Sequence, residues 1–92
     1  MTMNDELMNT DLDEIESRCS KASKPPWKSW IEGRDHTAGS SFISTGEPGD
    51  APNSAIELSG ATDADQDFIA HARQDVPNLL AEVRRLRRAL GM

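Results

Sequence analysis

The residues best able to do chemistry in this 92-residue chain fall in one stretch, EGRDHTAGSSFI, which gathers Glu32, Arg34, Asp35, His36, Thr37, Ser40 and Ser41. A glycine-flanked turn exposes backbone N–H groups, a guanidinium grips a carboxylate or phosphate through paired donors, and an imidazole both donates and accepts. One reading is a partner- or ligand-binding loop built on Glu32, Arg34, Asp35, His36, Ser40 and Ser41. The other is a turn whose Asp and Ser side chains satisfy their own backbone, with Arg34 in a local ion pair.

Catalysis fits these residues poorly. Ser40, Ser41, His36 and Asp35 are sequence neighbours, whereas a nucleophilic triad needs groups converging from separate elements beside an oxyanion hole. Asp35 and His36 with Asp67 and His71 offer oxygen and nitrogen ligands, the second pair four apart on one helical face. The HExxH and CxxC spacings that mark zinc sites are missing, however. Cys19 is the only cysteine, which excludes an intrachain disulfide and a thiolate cluster. The expectation is a protein without enzyme activity, metal or cofactor. Trp27 and Trp30 lie three apart, so on a strand they face opposite sides; one enters the core, and Trp30 joins the binding residues.

The elements that must position this loop are legible on either side of it. Thr10, followed by Asp13, reads as the cap of a helix from about Asp11 to Ala22, with Leu12, Ile15, Cys19 and Ala22 on one face. Pro25 and Pro26 end it. WKSWIE, SFIST and AIELS then read as three short strands. The first two form a hairpin across Gly33 to Gly39, and Gly46, Pro48, Gly49, Asp50 and Pro52 make a second connection. Thr62, with Asp65 three residues on, starts a last helix.

Apolar residues recur in that helix at Ile69, Ala72, Val76, Leu79, Val83, Leu86 and Leu90, a heptad seam that Phe68 and Leu80 widen into a core-facing stripe. Pro77 kinks this helix or restarts it, and Gly91 stops it. The fold expected is α+β: a short N-terminal helix, a small three-stranded antiparallel sheet, and a long C-terminal helix kinked or restarted at Pro77. Residues 1–9 read as a flexible N-terminus and 10–91 as one small domain.

A chain of this length buries only about 60–65% of the surface that its unfolded form exposes. With 36% hydrophobic residues, two Trp, two Phe and no Tyr, its core is small and self-association is favoured. Leu79, Val83, Leu86 and Leu90 outrun such a core and form the expected homodimer seam. The net charge of −6 and the pI near 4.7 disfavour direct nucleic-acid binding and suit a basic protein partner. The acidic N-terminus and the lack of any apolar run near ~18 residues argue against export or a membrane span, so the expected location is the cytoplasm. Charge is uneven: the successive segments 1–23, 24–60, 61–76 and 77–92 carry −4, −2, −3 and +3, which leaves the RRLRR run as a basic tip.

SRCSKASKPPW, then SWIEGRDHTAGSSFISTG, then DADQDFIAHARQDVPNLLAEVRRLR resemble a group of small, largely uncharacterised proteins of phages, prophages and bacterial genomes. These share a short helix, an A-x-P-x-P-W arm, a variable β region and a closing D-x-x-F-I-x-x-A-R-x-D-V-P-x-L-L-x-E-V helix. The likeness covers most of the chain, is weakest from Gly46 to Ser59, and departs at Lys24-Pro25-Pro26. It implies a mobile-element setting, in which small acidic proteins resemble anti-CRISPR or immunity proteins that occlude a nucleic-acid-handling partner. Phe68, Ile69, Ala72, Arg73, Asp75, Val76, Pro77, Leu79 and Leu80 would then be scaffold. The function expected is a non-catalytic, inhibitor-like binding protein; the alternative is an oligomer that sequesters a nucleotide-like ligand.

Overall fold

Local capping sets where both helices begin. The Met8 N–H donates to Asp11 Oδ2 at 2.7 Å, so the first helix, α1, spans Asn9–Lys21. The expected cap at Thr10 is displaced: Asp11 in the first turn reaches back to an orphan N–H and meets the positive end of the helix dipole, which starts the helix two residues early. The last helix, α2, spans Asp63–Ala89 and opens on a reciprocal cap. Thr62 N–H donates to Asp65 Oδ2 at 3.1 Å, and Asp65 N–H donates to Thr62 Oγ1 at 3.0 Å.

In this computed structural model, which describes residues 7–35, 39–46 and 54–91, the architecture is α+β. The order is α1, β1 (Trp27–Trp30), β2 (Phe42–Thr45), β3 (Ser54–Ile56), α2. The strands form one antiparallel sheet in the order β1-β2-β3. Trp30 stands opposite Phe42 and Ser29 opposite Ile43; Ile43 in turn stands opposite Ile56. Pro77 lies inside α2, which is one helix of 27 residues and not two. After Leu90, Gly91 leaves the helix at φ 77°, the left-handed conformation that glycine adopts without strain.

The described residues gather into two compact units. The first comprises α1 and the part of α2 from Val76 onward. Its core centres on Leu12, only 1% exposed, beside an apolar cavity of about 140 Å³ lined by Leu7, Ile15, Val76, Leu79, Leu80 and Val83. Arg84 ties the two helices together through Asp13 at 2.9 Å and Glu16 at 3.0 Å.

The second unit, Ser23–Asp75, holds the sheet and the first part of α2. Strand alternation turns Ser29 and Ile31 of the β1 segment, with Ile43 and Thr45 of β2, toward α2, and all four are buried. The helix meets them with Gln66 (4% exposed) and Ala70 (0%), and with Gln74 one turn on. Gln66 Nε2 donates to Ser29 Oγ at 2.9 Å and to the carbonyls of Trp30 and Phe42 at 3.1 Å. Gln74 accepts from Trp27 N–H at 2.7 Å and donates to Trp27 O at 3.3 Å. Amide side chains therefore suture the helix to β1, and Gln74 occupies the backbone edge that this strand would offer to another chain. The apolar stripe expected to pack here does not: Phe68 is 74% exposed and Ile69 37%. Gln66, Ala70 and Gln74 lie four apart, on a face rotated away from Phe68, and a polar stripe wins the contact because the sheet presents hydroxyl and carbonyl groups to it.

Candidate functional site

The sheet face turned away from α2 carries Lys28 and Trp30 from β1 with Phe42 and Ser44 from β2, because period-two alternation sends these side chains opposite to the buried set. The Trp30 and Phe42 rings stack with centroids 6.3 Å apart and planes 22° apart. The indole is held in place by its Nε1–H, which donates to Ser44 Oγ at 3.1 Å. The exposed Lys28 places its Nζ 4.2 Å from the Trp30 ring centroid, a cation–π contact. An oriented aromatic pair that already attracts an ammonium can receive a planar or cationic group of a partner. Trp27 faces the helix side, and its Nε1–H donates to Ser23 O at 3.1 Å. Of the two tryptophans, Trp30 is therefore the one on the outer face.

The neighbouring loop is held by its own polar groups. Arg34 N–H and Asp35 N–H donate to Ile31 O at 3.0 and 2.9 Å, and Ile31 N–H donates to Asp35 Oδ2 at 2.9 Å. Gly33, at φ 83°, supplies the left-handed turn. Glu32 N–H donates to Ser41 Oγ at 3.0 Å, and Glu32 Oε2 accepts from Gly39 N–H at 3.1 Å. Arg34 makes a two-pronged pair with Asp67, Nη1 to Oδ2 at 2.8 Å and Nη2 to Oδ1 at 3.1 Å, and also reaches Asp35 Oδ2 at 2.7 Å.

Hydrogen bonds from Arg34 and then from Ser29 hold the Asp67 carboxyl down at about 2, below its ordinary 3.8. Arg34, and after it the Ile31 N–H, lower Asp35 too. The guanidinium, hydrogen-bonded first to Asp67 and then to Asp35, is raised well above its usual range. A continuous polar chain results, Gln66 to Ser29 to Asp67 to Arg34 to Asp35, which fastens the loop to α2 inside this unit.

Of the residues expected to bind, Trp30 lies on the outer sheet face, while Glu32, Arg34, Asp35 and Ser41 are joined in the loop's own network. Ser40 is exposed, and His36 lies outside the described residues. The local ion pair weighed for Arg34 is what forms. Asp35 and Asp67, considered together as ligands, do converge, and Arg34 is the cation between them. His71 sets Nδ1 2.9 Å from Asp67 O, one turn back on its own helix. Among the described residues no group of three His, Cys, Asp or Glu side chains is arranged to hold a metal, and no helix is long and apolar enough to cross a membrane.

The sequence does not mark Lys28, Phe42, Ser44 or Gln66 as binding or positioning groups, and it marks Asp67 only as a metal-ligand candidate beside Asp35, His36 and His71. Lys28 and Trp30 at i and i+2 carried a signal for the outer face; the pairing with Phe42 needed the register. In the expected seam, Leu79 is 63%, Leu86 46% and Leu90 74% exposed, whereas Val83 is half-buried. Comparison with protein-family models, with characterised proteins and with solved structures finds no match.

Proposed function

We propose that this chain is a non-catalytic binding module that docks a basic protein partner through the Lys28–Trp30–Phe42 face of its sheet. The carrying observation is the aromatic pair, fixed by Ser44 and already attracting a cation in Lys28, on a chain with a net charge of −6. An arginine or lysine of the partner can replace Lys28 over the indole, and the overall negative potential speeds the encounter. In the mobile-element setting that the sequence resemblance implies, such a module works as an inhibitor, covering the basic surface that a nucleic-acid-handling protein needs.

Isothermal titration calorimetry tests this. Titration with an arginine-rich peptide is expected to saturate, to weaken steeply with added salt, to be lost in Trp30→Ala, and to tighten in Lys28→Ala. Equal binding by wild type and Trp30→Ala counts against the reading. The alternative, sequestration of a nucleotide-like ligand, loses its expected anion grip because the Arg34 donors are engaged by Asp35 and Asp67. A thermal-shift series with nucleotides separates the two, as a ligand present at 100 times its Kd stabilises by about 2.7 kcal/mol.

A further inference from the structure

We propose that the exposed leucine stripe on the second half of α2 is the seam on which two copies of this chain associate. In the unit formed by α1 and this half-helix, Leu79 is 63% exposed, Leu86 46%, Leu90 74% and Val76 39%, with Leu7 at 47% and Met8 at 65% beside them. Among the described residues of that unit, Leu12 is the one large side chain that is fully buried. Two helices by themselves close only a small core, and a usual completion is a four-helix arrangement.

The spacing identifies the occupant as another helix. Val76, Leu79, Val83, Leu86 and Leu90 recur at intervals of 3 and 4, with valine alternating with leucine as far as Leu86, the pattern by which helices interlock knobs into holes with their own kind. The flanking charges agree with a second copy. Arg84 is paired with Asp13 and Glu16, Arg85 with Glu82, and Arg87 with Asn9 Oδ1 and Leu7 O. These three arginines are satisfied within the chain, so two copies meet across the stripe without facing unpaired guanidinium groups at those positions.

The area suffices as well. The six exposures together amount to roughly three whole side chains, or about 300 Å² of apolar surface per copy at roughly 100 Å² each. Two copies then bury about 600 Å² of apolar area. Since interface cores are about 65% apolar, the total is on the order of 1,000 Å², the threshold for a specific interface.

Sedimentation velocity on the full chain, over a wide concentration range, tests the proposal. Wild type is expected to approach twice its 10.1 kDa at high concentration and to dissociate on dilution. Leu79→Lys combined with Leu86→Lys should remain at one chain's mass with unchanged far-ultraviolet circular dichroism. If that double variant loses its helical signal, Leu90→Lys decides, since this side chain sits exposed in the last turn. It should keep the helix and weaken association by about tenfold or more. Wild type that stays monomeric throughout overturns the proposal. So does a folded double variant, or a folded Leu90→Lys chain, that associates as wild type does.

Discussion

Replacing Gln66 with alanine should cost this protein far more than replacing Phe68, the reverse of what a hydrophobic pattern predicts. Gln66 is 4% exposed, and its amide N–H groups serve Ser29 Oγ and two strand carbonyls. Two amide hydrogens at a net of about 0.5–1.5 kcal/mol each give roughly 1–3 kcal/mol. The volume left beneath the sheet adds about 1 kcal/mol, for a loss of about 2–4 kcal/mol in Gln66→Ala. At roughly 4–8 °C per kcal/mol for a chain of this size, the midpoint should fall by about 8–32 °C. Phe68, 74% exposed, should change stability by no more than about 0.5 kcal/mol when truncated.

Urea unfolding followed by tryptophan fluorescence measures both variants, because Trp27 and Trp30 lie in the same unit as Gln66. Gln66→Leu separates hydrogen bonding from packing: it fills the space but leaves the hydroxyl and carbonyl groups without their donor, so it too should lose about 1–3 kcal/mol. A greater loss in Phe68→Ala than in Gln66→Ala, or a Gln66→Leu chain as stable as wild type, would refute the role given to the Gln66 amide.

Leu12→Ala, which empties the best-buried position of the helical unit, should cost about 2–5 kcal/mol, read as an early loss of helical circular dichroism on heating. Asp67 should make stability fall in acid: its carboxyl sits at about 2 in the folded chain against an ordinary 3.8. The contribution is therefore full above pH 3.8 and is lost as pH falls through about 2. Asp67→Asn should flatten that dependence in acid-unfolding curves, and salt should shrink it because the pair lies at the surface. Thr62→Ala removes one half of the reciprocal cap on α2 and should cost about 1 kcal/mol in thermal or urea unfolding.

Much of the architecture was legible because it depends on local physics. Thr62 with Asp65 marks a helix start through short-range hydrogen bonds, and Gly91 marks its end through backbone freedom at φ 77°. Three short strands followed from period-two runs bounded by Gly and Pro. The helix α1 starts two residues before the expected position because Met8 takes the cap place, where Asp11 of the first turn accepts its N–H. Pro77 is accommodated within a single helix, an outcome its missing donor did not disclose by itself.

The candidate site was less legible. The loop's composition advertised donors and charges, but its partners lie elsewhere in the chain: Arg34 pairs with Asp67, 33 residues on. A cation that looked available for a ligand became a structural tie, which leaves the outer sheet face as the surface proposed for binding. There Trp30 meets Phe42 only because the β1–β2 register sets them opposite each other.

By itself the sequence determined the element types, their order, the acidic balance and the apolar repeat of the last helix, since each follows from residue chemistry and spacing along the chain. Only the tertiary structure decided which face of α2 meets the sheet, because that choice compares whole surfaces. The sheet offers Ser29 Oγ and strand carbonyls, so Gln66, Ala70 and Gln74 take the contact and Phe68 and Ile69 remain exposed.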